Sequence, residues 1–288
     1  MTAKTTTEQP RLWRIIDLIK WGEEYFLKRD ITNARLEVEW LLAQTLDLKR
    51  VDLYVQFERP MEPGELARFK ELIRRRVSGE PLQYIIGTAP FCEHEFLVTP
   101  AVLIPRPETE ILIDRLKAGP DPAAILDIGT GSGCLAVTAA LLFPDAQVTA
   151  VDVSPDALEV AKDNAENLGA TNITFVDLDI LKSVPEGQFN AVLCNPPYIS
   201  EQEMTTLQAE VRKHEPATAL WDNGDGLTFF RRLAQIGPRL LAPDGRLIME
   251  IGGRSQAGPV EGLFTAGGAT CAFYPDLQGD LRACVVHW

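Results

Sequence analysis

Histidine and paired cysteine are scarce in this chain, and each shortage closes off a class of chemistry. The three histidines, His94, His214 and His287, lie far apart. No spacing supports a dedicated zinc site, and no metal is expected. The five cysteines, Cys92, Cys134, Cys194, Cys271 and Cys284, are odd in number and form no C-x-x-C pair. That pattern suits reduced thiols in a cytosolic protein rather than a disulfide framework. No apolar run reaches the ~18 residues that read as a membrane span. The opening "MTAKTTTEQPRLWR" lacks the apolar stretch of a signal peptide and reads as a short frayed tail. The expected location is the cytoplasm, with no membrane contact. Positive charge is also in deficit, with 28 Lys and Arg against 41 Asp and Glu. Residues 1–86 are nearly balanced, at 15 against 14, while the remainder carries 13 against 27. Such an acidic C-terminal part repels bare nucleic acid, so no direct nucleic-acid partner is expected. It would tolerate or attract a basic protein.

What is present suffices for one large domain and a small one: 288 residues, 45% of them apolar. Residues 12–78 read as helices. "LWRIIDLIKWGEEYFL" spaces Leu12, Ile15, Ile16, Ile19 and Phe26 for one face. "NARLEVEWLLAQTL" continues with Leu36, Trp40, Leu41 and Leu46, with Asn33 as candidate cap. "PGELARFKELIRRRVSG" opens on Pro63, lines up Leu66, Phe69, Ile73 and Val77, and stops near Gly79. The expected organisation is a helical module over 1–86, a hairpin-like linker over 87–100 built from "LQYIIG" and "HEFLVT", and an α/β domain over 101–288. In that last part strand and helix signals alternate. Strands "AAILDIG", "AQVTAVDV", "ITFVDL", "FNAVLCN" and "GRLIMEIG" precede a closing pair, "ATCAFYPD" and "LRACVVHW". Alternation of this kind predicts an open, mostly parallel sheet covered by helices on both faces, ending in an antiparallel hairpin.

Ligands bind such sheets beyond the carboxyl ends of the strands. "LDIGTGSG" puts Gly129, Gly131 and Gly133 at the first strand-to-helix turn, where glycine lets the backbone approach a ligand and present its N–H groups. Asp152 ends the second strand about 20 residues on, where a carboxylate can accept two ribose hydroxyls. A dinucleotide fingerprint is G-x-G-x-x-G. This chain reads G-x-G-x-G, with Cys134 in the third glycine's place, so a pyrophosphate cradle is disfavoured. S-adenosylmethionine, with a ribose and no phosphate, fits better. "FVDLDIL" ends the third strand on Asp177 and Asp179, placing Asp179 to meet an exocyclic amine and Ile180 to meet a ring face.

The fourth strand runs into "NPPY", Asn195 to Tyr198. Methylating an amide or aromatic amine is hard because the nitrogen lone pair is delocalised. Two fixed acceptors, the Asn195 side-chain oxygen and the Pro196 carbonyl, could grip the N–H bonds and aim that lone pair at a methyl donor. Pro197 fixes its own φ and restricts Pro196 to extended geometry. Tyr198 offers a ring to a planar acceptor.

With "NPPYI", "LDIGTGSG", "IPRPETE" (104–110), "GEPLQYIIG" (79–87), "EP..AL" (215–220) and "DGL" (225–227) together, the chain resembles the bacterial protein-(glutamine-N5) methyltransferases that modify release factors. The likeness covers nearly the whole chain. It implies a class I S-adenosylmethionine-dependent methyltransferase fold, Rossmann-like with a seven-stranded sheet, behind a small all-α substrate-recognition domain. It also implies S-adenosylhomocysteine as product, class I peptide chain release factors as partners, and the glutamine of their Gly-Gly-Gln loop as target. By position, Gly129, Thr130, Gly131, Ser132, Gly133, Asp152, Asp179, Ile180 and Asn195 match cofactor contacts. Asn195, Pro196, Pro197 and Tyr198 match the glutamine clamp, with Asn195 and Pro196 catalytic. A monomer is expected. Two positions depart from the family pattern. "EIGGRSQ" carries one extra residue before Gln256, and Asn223 stands where glycine is common before "DGL". The rivals are a ribosomal-protein glutamine methyltransferase, which would share the core motifs, and an adenine-N6 DNA methyltransferase, which the acidic charge disfavours. A silent cofactor-binding module would have no use for an intact N-P-P-Y, and an oxidoreductase would need a redox site that is not visible.

Overall fold

The structure, a computed structural model, describes residues 12–288. The terminal tail expected from the sequence thus lies largely outside the described residues. The chain divides into two compact units, Met1–Ile86 and Gly87–Trp288.

The first unit is helical: α1 (Ile15–Leu27), α2 (Ala34–Leu46), α3 (Arg50–Val55), α4 (Pro63–Val77) and α5 (Leu82–Ile86). Its core gathers Ile15, Ile19, Phe26, Val38, Leu41, Leu42, Leu53, Phe69 and Ile73. Two details differ from the sequence reading of α2. The buried stripe runs through Ala34, Val38, Leu41 and Leu42, leaving Leu36 at the surface. Asn33 occupies the cap position at φ 55°, and its side chain makes no capping bond. In that left-handed conformation the backbone, not the amide, turns the chain into the helix. The Arg74–Arg76 run pairs with carboxylates: Arg74 with Glu71, Arg75 with Glu80, and Arg76 with Glu37. "LQYII", expected as part of a hairpin, is α5 instead. It follows Pro81, whose carbonyl accepts from the Ile85 N–H at 3.2 Å, and it buries Tyr84 and Ile85.

The second unit opens with the hairpin β1 (Thr88–Phe91) and β2 (His94–Leu97). The hairpin lies inside this unit rather than between the two, because Phe91 and Phe96 are fully buried in its core. A short 3₁₀ turn (Pro107–Thr109) leads into α6 (Glu110–Lys117). Then follow β3 (Ala124–Ile128), α7 (Cys134–Leu142), β4 (Gln147–Asp152), α8 (Pro155–Leu168), β5 (Ile173–Asp177) and β6 (Phe189–Cys194). Three short helices, α9 (Glu201–Met204), α10 (Ala209–His214) and α11 (Ala217–Leu220), carry the chain to α12 (Thr228–Leu240). The unit closes with β7 (Leu241–Glu250), α13 (Arg254–Thr265), β8 (Thr270–Pro275) and β9 (Leu281–His287). The seven-stranded sheet has the order β5-β4-β3-β6-β7-β9-β8, with β9 antiparallel to both neighbours and the other pairs parallel.

Strand alternation splits the core into two layers. Leu126, Ile128, Val192, Leu247 and Met249 pack with α12 and α13, whereas Ile125, Ala191, Leu193 and Ile248 pack with α6 and α7. The order reverses at β3 and β6, which pair through Ile125↔Ala191 to Ile128↔Cys194. Their carboxyl ends therefore open side by side, and the glycine loop and N-P-P-Y leave the sheet next to each other. This is the switch point at which open α/β sheets bind ligands.

Candidate active site

A cavity opens at that switch point. It is lined by Gly129, Thr130, Gly131 and Ser132 after β3, Asp152 after β4, Asp179 and Ile180 after β5, and Asn195, Pro196 and Pro197 after β6. Four strand ends, distant in sequence, thus supply one pocket.

The glycine loop is held on both sides. The N–H groups of Gly129 and Thr130 donate to the Val151 carbonyl at 2.9 and 3.0 Å. Gly129 (φ 71°) and Gly131 (φ 54°) have left-handed backbones, and a Cβ on either would meet nothing within 4 Å. They are glycine for conformation, and the space beside them stays open to a ligand. Gly133 differs from the sequence reading, because it does not line the cavity. At φ 80°, a Cβ there would sit 3.0 Å from the Ala161 side chain, so this glycine lets α7 approach α8. Cys134 follows as the first residue of α7 and does line the cavity.

Asp152 turns one oxygen to the Gly131 N–H and the other to the Ser154 N–H, each at 2.9 Å. Burial raises its pKa, against the lowering effect of those amides. Ser154 caps α8 by accepting from the Ala157 N–H, with Pro155 in the first turn and Gly169 closing the helix. Asp179 accepts from the Leu181 N–H and pairs with Lys182 at 2.8 Å. Its hydrogen bond to Lys182 holds its pKa below the usual range. Ile180 is buried, and Arg232 fixes its carbonyl at 2.8 Å. Asp177, at the same strand end, is exposed and stays outside the cavity lining.

Pro196 is buried and its carbonyl carries no hydrogen bond among the described residues. Asn195 makes one side-chain hydrogen bond, from Nδ2 to Thr109 Oγ1 at 3.1 Å. Thr109 Oγ1 donates in turn to Glu250 Oε2 at 2.6 Å, and Tyr198 OH donates to Glu250 Oε1 at 2.8 Å. Tyr198 thus departs from its expected place: it is not among the lining residues, because its hydroxyl is committed to a carboxylate behind the cavity wall. Glu250 is 2% exposed, and burial raises its pKa.

Neither Thr109 nor Glu250 was singled out from the sequence, although "IPRPETE" and "EIGGRSQ" contain them. Two more buried groups were also missed. Asp127, beneath the glycine loop, accepts from Thr130 Oγ1 at 2.7 Å and leaves Oδ1 without a partner. Burial pushes its pKa up to about 7, with Asp152 adding to the rise. Asn164 on α8 joins the hairpin to the glycine loop: Oδ1 accepts from the Leu97 N–H, while Nδ2 donates to the Leu97 and Ser132 carbonyls. A signal existed for Asp127, an acid inside an apolar strand, where a charge is costly unless paired. None existed for Asn164, which reads as an ordinary helix-surface amide.

The two departures from the family pattern have local accounts. Asn223 adopts φ 59°, a conformation that asparagine tolerates better than most residues. Gln256 reaches across despite the extra residue. It donates to the Tyr198 and Gly226 carbonyls at 3.1 and 3.0 Å and accepts from the Gly252 N–H. "EP..AL" joins "IPRPETE" through buried Glu215, which accepts from the Ile104 N–H and pairs with Arg106.

Residues 17–87 match the family described as PrmC N-terminal domain, and residues 107–249 match the methyltransferase small domain. A release factor glutamine methyltransferase of Geobacter sulfurreducens is 44% identical over 263 residues, covering 91% of this chain and 92% of that one. Its counterpart in Bacillus subtilis is 37% identical over 281 residues, covering 93% and 96%. Among solved structures, the catalytic domain of hMettl16 in complex with a MAT2A 3'UTR hairpin matches with a TM-score of 0.51 at 19% identity. That match covers 66% of this chain and 74% of the other. The parallel sheet, its terminal hairpin and the cavity at the switch point define an S-adenosylmethionine-dependent methyltransferase of class I. Within that class, the chain belongs to the release factor glutamine methyltransferases.

Proposed function

We propose that the cavity binds S-adenosylmethionine along the glycine loop and grips a glutamine side-chain amide of a class I release factor at Asn195 and Pro196. The fit to the cofactor rests on this chain's own groups. The open space beside Gly129 and Gly131 admits a ligand against the backbone. Each Asp152 oxygen accepts one backbone N–H and keeps capacity for a ribose hydroxyl. When bound, the cofactor supplies a methyl group on a sulfonium sulfur, whose departure as a neutral thioether needs no metal.

The carrying observation is the pair of acceptors after β6. The Asn195 Oδ1 and the Pro196 carbonyl both belong to cavity-lining residues, and neither accepts a hydrogen bond among the described residues. Two free acceptors on adjacent cavity-lining residues match the two N–H bonds of a primary amide. Holding both favours a pyramidal nitrogen and aims its lone pair, which forms the new N–C bond as the C–S bond breaks. Transfer leaves a neutral thioether and a positively charged amide nitrogen, whose now acidic proton passes to water.

The target within the release factor is the glutamine of the Gly-Gly-Gln loop. We further infer that the chain works as a monomer in the cytoplasm, without touching nucleic acid directly. Supporting the absence of a nucleic-acid contact, the part after residue 86 carries 27 carboxylates against 13 basic groups. Incubation with labelled S-adenosylmethionine and, in parallel, release factor, ribosomal protein or DNA tests the reading. Label on N5 of the release-factor glutamine is expected. Label only on ribosomal protein or adenine would overturn it.

A further inference from the structure

The acceptor pair works only if Asn195 presents its oxygen, not its nitrogen, to the cavity. A free amide has no such preference, since its two ends are nearly equal in shape. Something in the fold must set its polarity, and Thr109, which lines the cavity beside Asn195, can do so together with Glu250 behind it.

Thr109 Oγ1 stands between Glu250 Oε2 and Asn195 Nδ2, at 2.6 and 3.1 Å. A hydroxyl has a single proton. An ionised carboxylate can only accept, so that proton goes to Glu250. What Thr109 offers on its other side is a lone pair, which pairs with an N–H and not with a carbonyl oxygen. The nitrogen of Asn195 must then face Thr109, and Oδ1 faces the cavity. The second Glu250 oxygen takes the Tyr198 hydroxyl at 2.8 Å. One buried carboxylate therefore orders both the first and the last residue of N-P-P-Y. The residues facing Glu250 are Thr109 and Tyr198 by hydrogen bond, with Arg282 on β9 and Glu108 acting through charge. Burial and Glu108 oppose the ionised form, while the Thr109 and Tyr198 hydroxyls and Arg282 favour it, and with an oxygen turned to each hydroxyl the carboxylate accepts from both.

We infer that Thr109 and Glu250 are positioning residues that fix the polarity of the Asn195 amide. The inference rests on the clamp reading above. With Thr109 turned, or its hydroxyl absent, Asn195 is free to flip. Its NH₂ would then confront the substrate's NH₂, donor against donor, and the grip would lose one of its two acceptors. Glu250→Gln sets the same conflict at the source, since an amide accepts at one end and donates at the other while both its neighbours need an acceptor.

The test uses the full chain with S-adenosylmethionine and release factor, and compares Thr109→Val, Thr109→Ser, Glu250→Gln and Asn195→Ala. Valine keeps the shape of Thr109 without its hydroxyl, and serine keeps the hydroxyl without the methyl. Loss of polarity control lowers kcat of Thr109→Val at least about tenfold and of Glu250→Gln at least about fivefold, on the scale of a disturbed transition-state hydrogen bond. Cofactor Kd by calorimetry stays within about twofold, and Thr109→Ser recovers most of the turnover that valine loses. A packing role would reverse that order, with valine more active than serine, and would overturn the inference. So would a Thr109→Val enzyme with near-normal kcat when Asn195→Ala loses about 10²–10³; the clamp would then stand without its support. Near-normal turnover of Asn195→Ala would instead remove the clamp itself.

Discussion

Asp152 and Asp127 lie 25 residues apart in the chain and on either side of one glycine loop, yet burial asks different things of them. Asp152 is half-buried at the cavity, with both oxygens on backbone N–H groups. Replacing it with alanine removes those contacts and the acceptors proposed for the ribose. S-adenosylmethionine should then bind more weakly by about 1.5–3 kcal/mol, the usual scale for bonds to a charged group; calorimetry measures this, and unchanged affinity would exclude the role. Asp127 is fully buried, with its pKa pushed up to about 7 from an ordinary 3.8. Because the folded value is the higher one, folding favours the protonated form. The group's contribution to stability is complete below pH ~4 and is lost as pH rises to about 7, on the order of 4 kcal/mol over that window. Asp127→Asn cannot ionise and lacks this loss. Its melting temperature relative to the parent should therefore rise between pH 5 and pH 8. A flat difference would mean that Asp127 is not raised.

At the scale of elements, the glycine loop separates conformation from contact. Three glycines in five residues look alike in the sequence, but only two of them face open space. Gly133 is needed because α7 and α8 meet there. Gly133→Ala adds a methyl 3.0 Å from Ala161 at φ 80°. It should cost roughly 1–3 kcal/mol in denaturant unfolding from overpacking and backbone strain together. Gly129→Ala adds only the conformational part and should cost less. Equal losses would argue against the close approach. The strands, α1, α4, α8 and α12 were legible because a clear period runs along each, with Pro63 opening α4 and Ser154 and Gly169 bounding α8. The short helices α9 to α11 and α5 were not. Segments of four to six residues are too brief to show a period, and their helicity depends on packing rather than propensity.

For the whole molecule, the described residues form two units with separate cores. All the cavity-lining residues named above belong to 87–288. A chain of 87–288 should then bind S-adenosylmethionine within about threefold of the full chain, since no lining group is lost. It should also lose methylation of intact release factor if residues 1–86 supply substrate contacts. Retained methylation of the whole factor would place recognition in the catalytic unit instead.

The sequence alone determined the order of the groups along the sheet: glycine loop, Asp152, Asp179, then N-P-P-Y, each at the end of an apolar strand. It could do so because a parallel sheet sends every strand's carboxyl end to the same edge, so residues ending successive strands must meet. What it could not determine was which of those residues face the ligand and which hold the others in place. Tyr198 and Gly133 turn inward, while Thr109 lines the cavity beside Asn195 and joins it to Glu250, 141 residues away. Such choices depend on side-chain direction and on single hydrogen-bond protons. Only the packing of α6, β7 and the 3₁₀ turn against the end of β6 decides them.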